Sequence, residues 1–190
     1  MKTSYKVILL IVVACLSSIA IFYFTDRANP IAEEVDILAY QQELEQTFYP
    51  TKDDTFENPR IIVNPYGNSP LTALIIFQTK DLTAPTVVIH GKDENTTYTK
   101  KFTPSKEHIL PIYGLYANTD NTIELTVNNE TKTLTITTDP LPDDFILPTS
   151  VTANKQLLGN DLYFVTPSSS GYTAAYDVNG DVRWYLTDMY

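Results

Sequence analysis

Between Arg60 and Thr138 apolar residues recur at every second position, in short runs separated by turn-forming residues. The runs are Ile61–Asn64, Leu71–Thr79, Thr86–His90, Thr96–Phe102, His108–Tyr113, Thr122–Asn128 and Thr131–Thr138. Between them lie Pro65-Tyr66-Gly67-Asn68, Ala84-Pro85, Gly91-Lys92-Asp93, Thr103-Pro104, Asn118-Thr119-Asp120-Asn121 and Asn128-Asn129. Period-two runs bounded by such residues read as strands, and seven of them over about 80 residues predict an immunoglobulin-like or fibronectin-like β-sandwich. The segments TIELTV and KTLTIT alternate cleanly: Ile123, Leu125 and Val127 share one face, as do Leu134 and Ile136. That fits an antiparallel hairpin with one face on a core and one in water. There is no Cys…Trp…Cys pattern of the antibody type.

The alternation stops at Asp139-Pro140-Leu141-Pro142-Asp143-Asp144, a Pro- and Asp-rich stretch that reads as a domain boundary. Beyond it come a strand at Leu162–Thr166, a turn at Ser168-Ser169-Ser170-Gly171, and the segment YTAAYDVNGDVRWYL from Tyr172 to Leu186. Asn179-Gly180 is the preferred pair for a two-residue type I′ turn. That register puts Val182, Trp184 and Leu186 on one face with Thr173 and Ala175, and Tyr185 on the other with Tyr172, Ala174, Tyr176 and Val178. Apolar groups on both faces call for cover on both sides. Two arrangements supply it: the first strands of a β-propeller, whose following blades lie further along a longer chain, or a hairpin docked on the sandwich as an extra sheet. The first reading makes this chain the front part of a larger protein.

At the other end, Lys2 and Lys6 precede the uncharged stretch Val7–Thr25, and Asp26 and Arg27 follow it. The stretch is near the minimum for a membrane-spanning helix, roughly 17–25 residues. The flanking lysines favour a cytoplasmic N-terminus with the body outside the cytoplasm. An uncleaved anchor is the leading expectation; a cleaved signal near Ser17-Ser18 and a lipobox at Val12-Val13-Ala14-Cys15 are the alternatives. From Pro30 to Phe48, Ile31, Val35, Leu38 and Gln42 fall on one side at helical spacing, with Glu33, Glu34 and Asp36 near the helix start. This predicts a short linking helix, followed by a polar loop at Tyr49–Pro59. The expected organisation is an anchor at 1–27, a helical linker at 28–59, a sandwich at 60–145 and the opening of a propeller at 146–190.

Charge and composition narrow the chemistry. The formal net charge is −10, so phosphate recognition and nucleic-acid binding are not expected. Twelve prolines against six glycines point to rigid loops and strand edges. Cys15 is the sole cysteine, which rules out an internal disulfide or an iron–sulfur cluster. His90 and His108 are the only histidines; each shares a strand face with apolar residues and neither has a ligand-spaced partner, so they read as core-edge or surface residues. Asp177-Val178-Asn179-Gly180-Asp181, with Asp188 at the twelfth position, resembles a calcium loop, but Val182 stands where glycine belongs and the flanks are strand-like. Ser168-Ser169-Ser170-Gly171 lacks the G-x-S-x-G elbow. Asn95-Thr96-Thr97 and Asn129-Glu130-Thr131 match a glycosylation sequon that is common by chance. No nucleophile, base and oxyanion donor come together, so no catalytic, cofactor-binding or metal residue is expected in these residues.

Four stretches carry a family resemblance: NPYGNSPLTALI (Asn64–Ile75), TVVIHGKDENTTYTKKF (Thr86–Phe102), SKEHILPIYGLYANTDNTIELTV (Ser105–Val127) and TKTLTITTDPLPDDF (Thr131–Phe145). In this order they resemble the N-terminal domain of the bacterial aryl-sulfate sulfotransferases of the PAPS-independent type, and YDVNGDVRWYL resembles the start of that family's catalytic propeller. The resemblance implies a six-bladed propeller after the sandwich. It also implies transfer of a sulfuryl group from a phenolic sulfate ester to a phenolic acceptor, without a nucleotide cofactor. A propeller histidine would be the transiently sulfated nucleophile, with further histidines and an arginine stabilising charged oxygens. His90 and His108 fall in the sandwich and match none of these, so no catalytic residue carries over. Family members are exported and often homodimeric. Two functions of different class therefore stand as expectations: the N-terminal fragment of a membrane-anchored aryl-sulfate sulfotransferase, itself inactive, or a membrane-anchored sandwich serving as a binding or adhesion module.

Overall fold

The computed structural model describes residues 37–167 and 171–187. The chain divides into two compact units, Met1–Thr47 and Phe48–Tyr190. In the first, residues 37–46 are helical (α1), and the helix closes where the Thr47 amide and hydroxyl both donate to Leu44 O. The expected anchor at Val7–Thr25, with Cys15, and the start of the expected linker helix lie outside the described residues. Among the described residues no helix is long and apolar enough to cross a membrane.

The second unit is built from antiparallel strands. Its first sheet has the order β1-β2-β5, with β1 at Arg60–Val63, β2 at Thr72–Thr83 and β5 at Ser105–Tyr113. Its second has the order β4-β3-β6-β7, with β3 at Thr86–Ile89, β4 at Tyr98–Lys101, β6 at Asp120–Val127 and β7 at Glu130–Thr137. These are the seven strands read from the alternation, in two sheets facing one core. Ala73, Ile75, Phe77, Leu110 and Ile112 come from the first sheet, and Val87, Ile89, Ile123, Leu125, Val127, Leu134 and Ile136 from the second. Each fully buried aliphatic side chain contributes about 1.5–3 kcal/mol relative to its exposed state.

Two local features differ from the simple alternation. β2 runs on to Thr83 through a register shift between Gln78 and Thr83, so its far end stays paired to Ser105. The expected fourth strand begins late, because Glu94–Thr96 forms a 3-10 turn in which Asp93 and Thr96 cap each other. A two-residue turn with positive φ at both residues does occur, at Asn128 (50°) and Asn129 (68°) between β6 and β7.

The third sheet, order β10-β9-β8, comprises β8 at Tyr163–Val165, β9 at Ala174–Tyr176 and β10 at Val182–Tyr185; a one-turn helix, α2 at Lys155–Leu158, precedes it. It packs on the sandwich: Ala174, Val182 and Tyr185 belong to the same buried cluster as the sandwich core. Phe145 stacks on Tyr172 at 5.3 Å and meets Tyr185 edge-on at 5.5 Å, joining the end of the Pro- and Asp-rich stretch after β7 to the hairpin. The Thr187 amide donates to Asn68 O in a sandwich loop.

The expected turn and faces of this hairpin are corrected. Gly180 alone in the loop has positive φ (81°), and the Gly180 amide donates to Asp177 O while the Asp177 amide donates to Asp181 O. This is a three-residue connection with a glycine bulge, not a two-residue type I′ turn. The cause is Asp177, whose Oδ1 accepts from the amides of Asn179 and Asp181 and so organises the loop around itself. A second irregularity shifts the register between Val182 and Trp184. Val182 and Tyr185, expected on opposite faces, therefore both enter the core, and Arg183 is carried in with them.

Candidate functional site

The most elaborate polar construction in the described residues lies where the third sheet meets the sandwich, and Arg183 is its centre. Arg183 is the largest fully buried side chain, at 0 % exposure. Its Nε donates to Gly114 O at 2.8 Å and its Nη2 to the same oxygen at 2.5 Å. Its Nη1 donates to Thr96 O (3.0 Å), Tyr116 Oη (2.9 Å) and Asp177 Oδ2 (3.0 Å). The guanidinium lies 3.8 Å from the centre of the Tyr116 ring and 4.8 Å from that of Tyr98. A cation over an aromatic face gains energy, more so when water is excluded. The fork of donors, the carboxylate and the rings together offset the several kcal/mol of desolvation that a buried ion pair incurs.

Each partner is held in place by local structure. Gly114 has φ 80°, which turns its carbonyl toward the arginine, and a Cβ there would come within 3.3 Å of the Tyr98 ring. Tyr116 sits in the β5–β6 connection, whose backbone is fastened by Asn121. The Asn121 Oδ1 accepts from the Tyr116 amide at 2.7 Å, and its Nδ2 donates to Tyr116 O, Thr119 O and Ile136 O. Tyr116 Oη in turn donates to Asp177 Oδ2 at 3.3 Å. Thr96 O is fixed by the 3-10 turn.

Around this centre the 177–181 loop grips the 91–97 loop. Lys92 Nζ contacts both carboxylate oxygens of Asp181 at 2.8 Å, and that bond raises the lysine pKa. Asn179 Nδ2 donates to Asp93 Oδ2 at 3.1 Å, which with the nearby Lys155 and Thr96 holds the Asp93 carboxyl below its ordinary pKa. Burial pushes the Tyr98 phenol up to about 12, against the pull of Arg183, so it stays protonated in the physiological range. The Arg183–Asp177 pair at the centre is fully buried, and the rim pairs Lys92 with Asp181 and Lys155 with Asp93 at more exposed positions.

The residues weighed in the sequence fall as follows. His108 is 2 % exposed, stacked on Phe77 at 4.5 Å, with Nε2 at 3.2 Å from Thr79 Oγ1 and 3.0 Å from Thr83 Oγ1; burial lowers its pKa. It lies deeper than the core-edge or surface position expected of it, because it follows Leu110 and Ile112 onto the inner face of β5. His90 lies just past β3, half-exposed, with Nε2 3.1 Å from Glu124 Oε1. The two histidines do not come together. In the loop that resembles a calcium site, Asp177 is spent on Arg183, Tyr116 and two backbone amides, and Asp181 on Lys92. Asp188 and Ser168–Ser170 lie outside the described residues. Asn95 sits in the 3-10 turn and Asn129 at the exposed tip of the β6–β7 hairpin. Arg183 itself was not singled out by the sequence; the one signal was a charge inside an otherwise apolar strand.

Comparison with known proteins places the sandwich. Residues 60–140 match the family described as the arylsulfotransferase Ig-like domain. Two similar relatives are arylsulfate sulfotransferases AssT. That of Lelliottia amnigena is 30% identical over 104 residues, covering 51% of this chain and 16% of the relative. That of Escherichia coli O6:H1 (strain CFT073) is 28% identical over 102 residues, with the same coverage. The match thus spans about one sixth of each relative's length. Both results agree with the resemblance carried by the stretches between Asn64 and Phe145: residues 60–140 of this chain are similar to the arylsulfotransferase Ig-like domain.

Proposed function

We propose that this chain is the N-terminal region of an exported arylsulfate sulfotransferase, in which a sulfuryl group passes from a phenolic sulfate ester to a phenolic acceptor. The observation that carries the reading is the match of residues 60–140 to the arylsulfotransferase Ig-like domain. The sandwich supports and orients; the groups that accept and release sulfate belong to a part of the protein beyond it. The third sheet is the start of that catalytic part, a β-propeller. This accounts for the apolar residues exposed on and around it, Ile146, Leu147, Leu157 and Phe164, which following blades would cover. Val7–Thr25 anchors the protein in the membrane with the body on the extracytoplasmic side, and two copies pair in the complete enzyme.

The test is an assay with a chromogenic aryl sulfate and a phenol acceptor. The 190-residue chain is compared with a chain extended by whatever coding sequence follows the codon for Tyr190. The expected result is transfer by the extended chain and none by the 190 residues. Transfer by the 190 residues alone, or a stop codon directly after Tyr190, would overturn the reading.

A further inference from the structure

We propose that the sandwich carries a preformed arginine-binding cage whose ligand is Arg183 of the same chain, and that occupancy of this cage is what holds the third sheet on the sandwich. The walls of the cage come entirely from the sandwich: two backbone carbonyls, Gly114 O and Thr96 O, and two rings, Tyr98 and Tyr116. Two of these walls are fastened within the sandwich: Asn121 bonds the Tyr116 backbone, and the Asp93–Thr96 cap shapes the turn that presents Thr96 O, while Asn179 and Lys155 add bonds to Asp93 from the other side. On this proposal the sandwich forms the cage before the third sheet docks. Carbonyl oxygens converging between two aromatic faces favour a planar cation, and a guanidinium fits the bidentate contact with Gly114 O that an ammonium cannot make.

The third sheet brings the plug. The register shift between Val182 and Trp184 brings Val182 into the same buried region as Tyr185, with Arg183 between them. The hairpin also carries the counter-charge, Asp177, whose Oδ2 meets both the guanidinium and Tyr116 Oη. Around the cage the two parts also meet through Ala174, Val182 and Tyr185, with Tyr172 and Tyr176 beside them, and through the bonds Lys92–Asp181, Asn179–Asp93 and Thr187–Asn68. Strands as short as β8 to β10 do not stay closed on their own, and the Arg183 bonds are the fully buried polar set at the joint. Emptying the cage is thus a local event: the third sheet opens while the sandwich, with its own core, remains folded.

Hydrogen exchange on the purified 190-residue chain tests this. In Arg183→Ala, the amides of Ala174–Tyr176 and Val182–Tyr185 should exchange about tenfold faster or more, while β2, β5, β6 and β7 keep their protection. Emission from Trp184, the single tryptophan, should shift to the red with that opening. Millimolar methylguanidinium should refill the cage of Arg183→Ala and restore protection of the third sheet, where methylammonium does not. Tyr116→Phe keeps the ring but removes the hydroxyl between Arg183 and Asp177, and should give a smaller acceleration confined to the same amides. Unchanged exchange in both variants, equal acceleration of sandwich and third sheet in both, or no selective rescue by methylguanidinium would overturn the proposal.

Discussion

His108 stands against the Phe77 ring with two threonine hydroxyls at its Nε2, and burial holds its pKa below the usual value near 6.5. The unfolded chain therefore binds a proton that the folded chain refuses, and stability present above that pH is lost as pH falls below it. Asp54 acts in a lower window. Its buried carboxylate accepts from Arg60 Nε and Nη2 and from the Thr51 amide; the Arg60 bond is the main cause of its lowered pKa. Its contribution is present above about pH 4 and lost as pH falls through the folded value. Acidification should thus weaken the second unit in two steps. Urea midpoints at pH 7, 5 and 3 should show His108→Gln losing the first step and keeping the second. Asp54→Asn should lose the second and cost about 1.5–3 kcal/mol at neutral pH.

The strands were legible because each carries its own signal. Alternation in TIELTV and KTLTIT places Ile123, Leu125, Val127, Leu134 and Ile136 inside, where they are found. The 177–181 loop was misread because a dipeptide rule competes there with a side chain. Asn179-Gly180 favours a two-residue turn, but Asp177 bonds the amides of Asn179 and Asp181 and enlarges the loop. The bulge at Arg183 was not legible at all, since its reward is a cage assembled from residues 96, 98, 114 and 116, distant in the chain. Gly180 tests the loop geometry. With φ at 81° and a Cβ that would lie 2.3 Å from Val151 Cγ2, Gly180→Ala meets both backbone strain and a clash. It should destabilise by about 1–3 kcal/mol, and adding Val151→Ala should recover only the clash, which thermal unfolding of the single and double variants would separate. Asp177→Ala should cost more, about 3–5 kcal/mol, because it leaves the guanidinium buried without its counter-charge.

In the Phe48–Tyr190 unit as a whole, apolar surface is distributed unevenly. The sandwich exposes Leu82 and Tyr113 singly, whereas the third sheet and the segment leading to it expose Ile146 (71 %), Leu157 (79 %) and Phe164 (68 %). Cavities of about 410 and 510 Å³, the first lined by Ile146 and the second by Leu157, adjoin through Pro148, Val165 and Tyr176. A contiguous patch of this kind favours self-association in water. The chain should bind a hydrophobic dye in its native state and associate as concentration rises, and Ile146→Lys with Leu157→Lys should reduce both, as read by dye emission and light scattering. The loop at the joint has a slower consequence as well. Asn179-Gly180 is the one Asn-Gly pair in the sequence. In an open peptide such a pair ages by attack of the glycine nitrogen on the asparagine side-chain carbonyl, closing a succinimide with loss of ammonia. Here the Gly180 amide is engaged by Asp177 O, and the Asn179 side chain is held between Lys155 Nζ at 2.6 Å and Asp93 Oδ2 at 3.1 Å. The attack needs both to let go. Aspartate and isoaspartate accumulating at position 179 would then record, molecule by molecule, how often the joint has come apart over the lifetime of the protein.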